Sequence, residues 1–285
     1  MTTTWRIKIF SDYCTPQTSS DNFKSSCFAE NLPFYGEGRD FVFTNLDDYT
    51  HAIILNKAMP KLKIPKERVI GLAQEPIPFL GLNDEFIKYA QKNISKYFVS
   101  DKGNLPAPFI EGNAFIYYYR PFPDVNKPKL ISIMVSQKGY APGHEYRHKL
   151  VQRILQTNLP IDIWGRGCFM YERTGDPRLK GNFNMYEPYV GYKFHIAIEN
   201  FQTNYYFSEK IINPLLLGTV PVYLGCKNID IFCPDQYVKL TGNLDIDMNI
   251  LELLCMMPDH YMRAIDIEGI EGKVNLLKNM KSLFS

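Results

Sequence analysis

Several features that would place the chain in a common class of protein are missing from its 285 residues. No apolar run approaches the length of a membrane span, and the start, MTTTWRIKIF, has no apolar signal region. The 32 basic and 30 acidic residues are mixed along the chain without a basic stripe, which argues against a nucleic-acid-binding protein. We therefore expect no membrane anchor and no nucleic-acid partner.

Paired cysteines, internal repeats and low-complexity segments are also missing. The six cysteines are scattered and never form a CxxC pair, which is typical of free thiols in a reducing compartment. No Ser-His-Asp set with a nucleophile elbow is present either. These absences predict a soluble, cytoplasmic, globular protein.

An alternation of strand-like and helical segments fills most of the chain. WRIKIF, HAIIL, RVIGLA and KYFVS are the predicted strands of the first half, and Asn83 or Asp84 is a candidate N-cap for a helix before the last of them. LISIMV, IDIWG, FHIAI and VPVYL are the predicted strands of the second half, again separated by helical patterns. Apolar strands alternating with helices predict parallel βαβ units whose sheet is covered on both faces.

A proline-rich segment from Arg120 to Lys129 interrupts this pattern and is the predicted linker. We expect an α/β fold of two Rossmann-like domains facing across a cleft, with residues 1–125 in the first and 126–285 in the second. Ligands of such sheets bind outside the carboxyl ends of the strands, so functional side chains are expected where strands end.

One strand end in the second half carries chemistry of this kind. FHIAI ends in Glu199 and Asn200, and after a short aromatic loop Ser208 is a good N-cap for a helix with Glu209 and Lys210 in its first turn. The free backbone N–H groups of that turn, with Lys210, predict a diphosphate site, and the Glu209 carboxylate suits two neighbouring ribose hydroxyls. An ordinary helix start with a solvated lysine would have the same sequence. Pro214 predicts a kink or a division of this helix.

The run YKFHIAIEN…YYFSEKIINPLLLGTVPVYLG, from Tyr192 to Gly225, resembles the signature of the α-1,3-fucosyltransferases, glycosyltransferase family 10. The spacing from Asn200 to Tyr206 and Lys210 fits that signature without a gap. PIDIWGRG, MVSQKGYAPGHEYRHKLVQRIL and AQEPIP resemble further segments of the family. The resemblance implies a GT-B fold in which the second domain, 126–285, holds the nucleotide sugar and the first is on the acceptor side.

The resemblance also implies roles for individual residues. Glu75 matches the general base, although Pro76 stands where the family has serine. Arg147 and Lys210 match residues that face the donor diphosphate, and Glu209 matches the residue that binds the ribose.

Three more residues are implied to lie at the nucleotide. Asn200 and Tyr206 match residues lining the same site, and His195 stands where relatives carry tyrosine or asparagine. The implied reaction is metal-independent, inverting transfer of L-fucose from GDP-fucose to a glycan hydroxyl, with no cofactor besides the donor. The form resembled is the soluble bacterial or viral one. A different nucleotide sugar, or a binding protein without catalysis, would keep most of these residues.

Two motifs point to metals instead. His144-Glu145-x-x-His148 spells the HExxH motif of zinc metallopeptidases, with Glu172 or Glu187 as a possible third ligand. Pro142, just upstream, places His144 at or before the first turn of its helix, whereas zincins hold both histidines well inside one. Asp245-Ile246-Asp247 spells DxD, but we interpret it as a helix start capped by Asn243 or Asp245.

Overall fold

The computed structural model describes residues 4–114 and 126–285, which form two compact units. Of these residues, 4–114 and 272–285 belong to the first unit, and 126–271 belong to the second. The predicted boundary at 125 and most of the predicted linker lie outside the described residues.

The first unit contains a parallel sheet of six strands in the order β2-β1-β3-β4-β5-β6. Its strands are β1 (Trp5–Ser11), β2 (Phe41–Phe43), β3 (His51–Leu55), β4 (Val69–Leu72), β5 (Lys96–Val99) and β6 (Phe109–Glu111). Its helices before the second unit are α1 (Pro16–Cys27), α2 (Ile77–Leu80) and α3 (Asp84–Asn93).

The second unit contains another parallel sheet of six strands, in the order β12-β11-β10-β7-β8-β9. Its strands are β7 (Lys129–Met134), β8 (Ile161–Trp164), β9 (Leu179–Gly181), β10 (Tyr192–Ile198), β11 (Val220–Leu224) and β12 (Val238–Lys239). The helices that follow β7 are α4 (Pro142–Leu155), α5 (Glu209–Leu216), α6 (Leu244–Met256), α7 (Pro258–Tyr261), α8 (Ile267–Val274) and α9 (Met280–Phe284). The 3₁₀ segments are Ala29–Asn31, Lys66–Arg68, Arg166–Thr174 and Ile229–Ile231.

The strands are buried on both faces because successive side chains of a strand point to opposite sides. In β3, Ile53 and Leu55 join one apolar cluster, while Ala52 and Ile54 join another on the opposite face. Continuous apolar runs such as HAIIL are therefore what two covered faces require. The predicted alternation of parallel strands and helices is confirmed in both units.

Helix α1 is absent from the sequence-based prediction. Thr15 caps it and Pro16 begins it, but its sequence, PQTSSDNFKSSC, is mostly polar. Only Phe23 and Cys27 give it an apolar stripe, which is too sparse to show helical periodicity.

The chain ends in the first unit, whereas the sequence-based boundary left residues 272–285 in the second. Four side chains after α8 join the apolar cluster on one face of the first sheet: Leu276, Leu277, Met280 and Leu283. All are at most 2% exposed, so burial of apolar surface is what returns this segment to the first unit. The last predicted helix, over 273–284, is interrupted by turns before α9.

Helix α5 continues through Pro214 without dividing. It ends in a Schellman motif: Gly218 N–H donates to the Leu215 carbonyl at 3.0 Å, and Thr219 N–H donates to the Pro214 carbonyl at 2.8 Å. Gly218 has φ +65°, a left-handed conformation that favours glycine. The short helix therefore stops where β11 has to begin.

No helix within residues 4–114 and 126–285 combines the length and the apolar character needed to cross a bilayer. The six cysteines all lie in this part of the chain and form no disulfide.

Candidate functional site

In the second sheet the chain begins at β7 and adds β8 and β9 on one side of it. It then returns to the other side of β7 and adds β10, β11 and β12, so the strand order reverses between β7 and β10. At such a switch point the loops after the two strands diverge and leave a crevice. A cavity of about 740 Å³ lies there. Its charged lining consists of four basic side chains and one acid: Lys138, Arg147, Arg166, Lys210 and Glu209.

Two close backbone approaches build the walls of this cavity. A Cβ on Gly143, in the first turn of α4, would lie 1.8 Å from the carbonyl oxygen of Glu199. A Cβ on Gly165, after β8, would lie 2.3 Å from the carbonyl oxygen of Val135. Only glycine permits these contacts, so the start of α4 reaches the end of β10, and the loop after β8 reaches the end of β7.

Glu199 is the buried centre of the β10 end. It is 1% exposed, and its two carboxylate oxygens accept from Ser208 N–H at 2.8 Å and from Ser208 Oγ at 2.7 Å. Burial raises the pKa of Glu199, and the nearby Lys210 charge opposes that shift. The carboxylate therefore holds the amino end of α5 against β10.

This contact corrects the prediction of free N–H groups at the start of α5. Ser208 N–H donates to Glu199, and Lys210 N–H donates to Ser208 Oγ at 3.3 Å. The N–H groups of Ser208 and Lys210 are therefore already paired within the chain. An anion in the cavity has to be met mainly by side chains.

Lys210 is the cation closest to this carboxylate. Its Nζ lies 3.7 Å from Glu199 Oε2, 3.0 Å from Glu209 Oε1 and 3.0 Å from Ser208 Oγ. Burial alone would lower the pKa of Lys210, but the charges of Glu199 and Glu209 raise it overall. The ammonium group is therefore held in its charged form at the cavity wall.

Glu209 is more open than its neighbours, with 52% of its side chain exposed. Burial acts to raise its pKa, but the charge and hydrogen bond of Lys210 bring it below the ordinary value. Its carboxylate is therefore ionised at neutral pH and has acceptor capacity left for hydroxyl groups.

Arg147 supplies a second fixed cation from α4. It is 7% exposed, its Nη2 donates to Asn200 Oδ1 at 2.7 Å, and its Nε donates to the Gly143 carbonyl at 3.2 Å. Burial lowers its pKa, and the charges of Glu199 and Glu209 oppose this. The Gly143 N–H in turn donates to the Asn200 carbonyl at 3.0 Å, so Asn200 links β10 to both the backbone and the guanidinium of α4.

His195 lines the cavity from within β10 and is 1% exposed. The Ser132 hydroxyl donates to the Pro188 carbonyl, so it accepts from Nδ1–H of His195 at 2.8 Å. Burial lowers the pKa of His195 to about 3, which keeps the ring neutral at physiological pH. Its Nε2 is then a hydrogen-bond acceptor.

Five of the predicted donor-site residues line this one cavity: Arg147, His195, Asn200, Glu209 and Lys210. Tyr206 is buried, at 7% exposed, just ahead of α5, but it is not in the described lining. Glu75 is in the first unit, exposed, beyond the carboxyl end of β4. Pro76 after it caps α2 and restricts Glu75 to an extended backbone.

Comparison with known proteins assigns the second unit to a family. The model described as "Glycosyltransferase family 10 (fucosyltransferase) C-term" matches residues 125–245, which include the whole β7 to β12 sheet and the cavity. These residues form a glycosyltransferase family 10 domain.

Several proteins similar to this part of the chain are named as fucosyltransferases. A "fucosyltransferase-like protein" of Arabidopsis thaliana is 32% identical over 149 residues, which is 50% of this chain and 28% of that protein. A "GDP-fucose protein O-fucosyltransferase 3" of Danio rerio is 30% identical over 146 residues, 45% of this chain and 30% of that protein. The chain therefore spans less than a third of the length of these relatives.

Solved structures similar to the whole chain are GT-B glycosyltransferases. An α1,3-fucosyltransferase with GDP-fucose superposes with a TM-score of 0.58 at 13% identity, covering 99% of this chain and 90% of that one. A lipopolysaccharide outer core galactosyltransferase gives 0.54 at 12% identity, covering 98% of each chain. The predicted GT-B fold is confirmed.

The two histidines of the HExxH motif are not arranged as metal ligands. Nδ1 of His148 lies 2.6 Å from Tyr171 OH, and its Nε2 lies 3.2 Å from the Lys138 carbonyl oxygen. In residues 4–114 and 126–285, no three His, Cys, Asp or Glu side chains gather as metal ligands would. The zinc interpretation has no support in this geometry.

The DxD motif is a helix start, as predicted. Asn243 Oδ1 accepts from the N–H groups of Asp245 and Ile246. Asp247, fully buried, accepts from Tyr146 OH at 2.5 Å and from the N–H of Thr241 and the N–H of Gly242. This acid ties α6 to α4.

Sequence reasoning missed several contributors to the site, the lining cation Lys138 among them. Glu199 was noted as a strand-end acid but was given no role, and Gly143 and Arg166 were not proposed. The signal for Glu199 was its position directly after a buried strand and nine residues before Ser208, the helix cap whose N–H group needs an acceptor. No sequence pattern shows that Gly143 touches a carbonyl 56 residues away, because that contact depends on the tertiary structure.

The Gly143 contact generates a stability prediction. We expect Gly143→Ala to destabilise the fold by about 1–3 kcal/mol or more, because the methyl group must displace the Glu199 backbone. Thermal unfolding should show a midpoint several degrees lower. Gly139→Ala is the matched control, since a Cβ there meets nothing within 4 Å. Equal midpoints for the two variants would show that α4 does not need this approach.

Proposed function

We propose that this protein transfers L-fucose from GDP-fucose to a hydroxyl group with inversion at the anomeric carbon. The observation that carries the proposal is the basic cavity at the strand-order switch of a family 10 domain. Four cations and a single acid in the lining suit a ligand with a diphosphate and a sugar ring. The names of the relatives, GDP-fucose and α1,3-fucosyltransferases among them, support the donor.

The leaving group sets the main electrostatic demand of this reaction. As the bond between the anomeric carbon and the β-phosphate oxygen breaks, its electron pair leaves with GDP. Arg147 and Lys210 stabilise that charge, and their fixed positions avoid reorganisation at the moment of reaction. We propose that these cations do the work a divalent metal does in other transferases, so that no metal is required.

The nucleoside end of the donor has a proposed partner in Glu209. Its exposed, ionised carboxylate accepts from the two ribose hydroxyls. Asn200 and His195 contribute from the β10 side of the cavity, and we propose that Tyr206, buried ahead of α5, belongs to the same nucleotide site. The second unit is then the donor domain and the first the acceptor domain.

Glu75 is the proposed general base. The acceptor oxygen forms its bond to the anomeric carbon while its proton passes to the Glu75 carboxylate. The bond from that carbon to the β-phosphate oxygen breaks at the same time, and GDP leaves. The residue lies beyond a strand end in the unit without the donor cavity. Its side chain is exposed at that strand end.

The acceptor has two candidates. The α1,3-fucosyltransferase among the relatives, from Drosophila melanogaster, favours a glycan hydroxyl, which is the proposal here. The relatives named GDP-fucose protein O-fucosyltransferase 3 favour a serine or threonine hydroxyl of a protein instead.

A nucleotide panel tests the donor. In the presence of EDTA, GDP at about 100 times its Kd should raise the thermal midpoint by roughly 5–10 °C, whereas UDP, ADP and CMP should not. Lys210→Met should reduce the GDP shift, because a diphosphate contact is lost. Lys227→Met is the matched control, an exposed lysine outside the cavity lining. A shift with UDP alone would assign another nucleotide sugar, and a shift abolished by EDTA would contradict the metal-independent site.

Replacing the proposed base separates catalysis from binding. Glu75→Gln should lower the turnover number about 10²–10⁴-fold, since the amide cannot accept the proton, and should leave the Kd for GDP unchanged. Product is measured by mass spectrometry with a glycan and with a serine-containing peptide as acceptors. Glu85→Gln, another exposed acid of the first unit, is the control. Full activity of Glu75→Gln would exclude this residue as the base, and GDP binding by a wild-type protein that transfers to neither acceptor would indicate a binding protein.

A further inference from the structure

One side chain of the cavity has no role in the mechanism above. His144 is the third residue of α4 and lines the cavity, yet it is only 3% exposed. It belongs to the HExxH motif, for which the structure offers no metal ligand set among the described residues.

The imidazole of His144 forms no hydrogen bond within residues 4–114 and 126–285, and its Nδ1 is buried without a partner. Its ring contact is an edge-to-face approach to Tyr140, with centroids 4.8 Å apart. Nε2 has no hydrogen bond within these residues either, and it is not among the fully buried unpaired atoms, so it is the ring nitrogen that a ligand in the cavity can reach.

The backbone around His144 cannot supply the contact. The N–H of Gly143 donates to the Asn200 carbonyl, and the N–H groups of His144 and Glu145 both donate to the Ala141 carbonyl. Pro142 has no N–H. The first turn of α4 therefore offers the ligand the side chain of His144 and not its amides.

The protonation of the ring follows from its surroundings. Burial lowers the pKa of His144 to about 4, and the charges of Arg147, Lys138, Lys210 and His148 act in the same direction. The neutral ring carries one proton. A buried N–H without an acceptor is the rarer defect in proteins, which places the proton on Nε2 and leaves Nδ1 as the unpaired acceptor.

We propose that His144 donates its Nε2–H to a non-bridging oxygen of the donor diphosphate, as a third contact beside Arg147 and Lys210. The flanking cations favour an anionic oxygen as the partner and disfavour any donor group of a ligand. The contact adds recognition of the diphosphate without adding charge. This inference rests on the proposed function, because it takes a nucleoside diphosphate as the occupant of the cavity.

Affinities of GDP and guanosine, measured by calorimetry on the full chain, test this contact. His144→Leu should weaken GDP binding about 10-fold or more and leave guanosine binding unchanged. His144→Gln, whose amide N–H reaches near the position of Nε2, should restore GDP binding to within about threefold of wild type. Unfolding midpoints without ligand show whether each variant is folded.

A second measurement uses only the wild-type protein, so it does not depend on whether a variant folds. The ¹⁵N spectrum of the wild-type histidines should show protonated Nε2 and unprotonated Nδ1 for His144, and GDP but not guanosine should shift the Nε2 resonance. The opposite tautomer, or no response to GDP, would overturn the inference.

The outcomes separate the two proposals. If wild type binds GDP and His144→Leu binds it equally well, the histidine contact is wrong and the proposed donor stands. If His144→Leu loses GDP and guanosine alike, the residue supports the structure of the cavity and does not recognise the diphosphate. If wild type binds no GDP, the proposed function and this inference both fall.

Discussion

The hydrogen bonds between the buried Glu199 carboxylate and Ser208 organise the cavity of the second unit. A strand end and a helix start, nine residues apart, are joined by two bonds of 2.8 and 2.7 Å. The hydroxyl of Ser208 also accepts from Lys210 N–H, so the amino end of α5 is connected to Glu199 through its N-cap residue. Lys210 then faces the cavity with its charge maintained by Glu199 and Glu209. An acid of the chain itself therefore orients the cation that we propose contacts the diphosphate.

The neighbouring residue, Asn200, does the same for α4. Its carbonyl accepts the Gly143 N–H and its side chain accepts from Arg147, so both helices that border the cavity are fixed to one dipeptide at the end of β10. The absence of a side chain on Gly143 makes this approach possible. Strand β10 lies beside the reversal of strand order, which is where the cavity forms. The end of the same strand therefore places the site and holds its two helices.

The sequence predicted the eight strands of four or more residues, because two covered sheet faces require unbroken apolar runs such as HAIIL and VPVYL. It missed β2, β6, β9 and β12, which have only two or three residues each. It predicted α1 poorly, since a helix with only two apolar side chains has little periodicity. The return of Leu276 and Leu277 to the first unit was not predictable, because an apolar segment does not specify which core it joins. At the site, the spacing from Asn200 to Lys210 located the charged residues, but the hydrogen bonds from Ser208 to Glu199 are a tertiary contact that the sequence pattern does not show.

The central claim is that side chains fixed by Glu199 and Asn200, and not the amides of α5, hold the donor diphosphate. A crystal structure of the protein with GDP tests it most directly. The account predicts diphosphate oxygens within hydrogen-bonding distance of Arg147 and Lys210, with Glu199 still bound to Ser208. A diphosphate seated on the Ser208 and Lys210 amides, with the Glu199 carboxylate displaced, would contradict it.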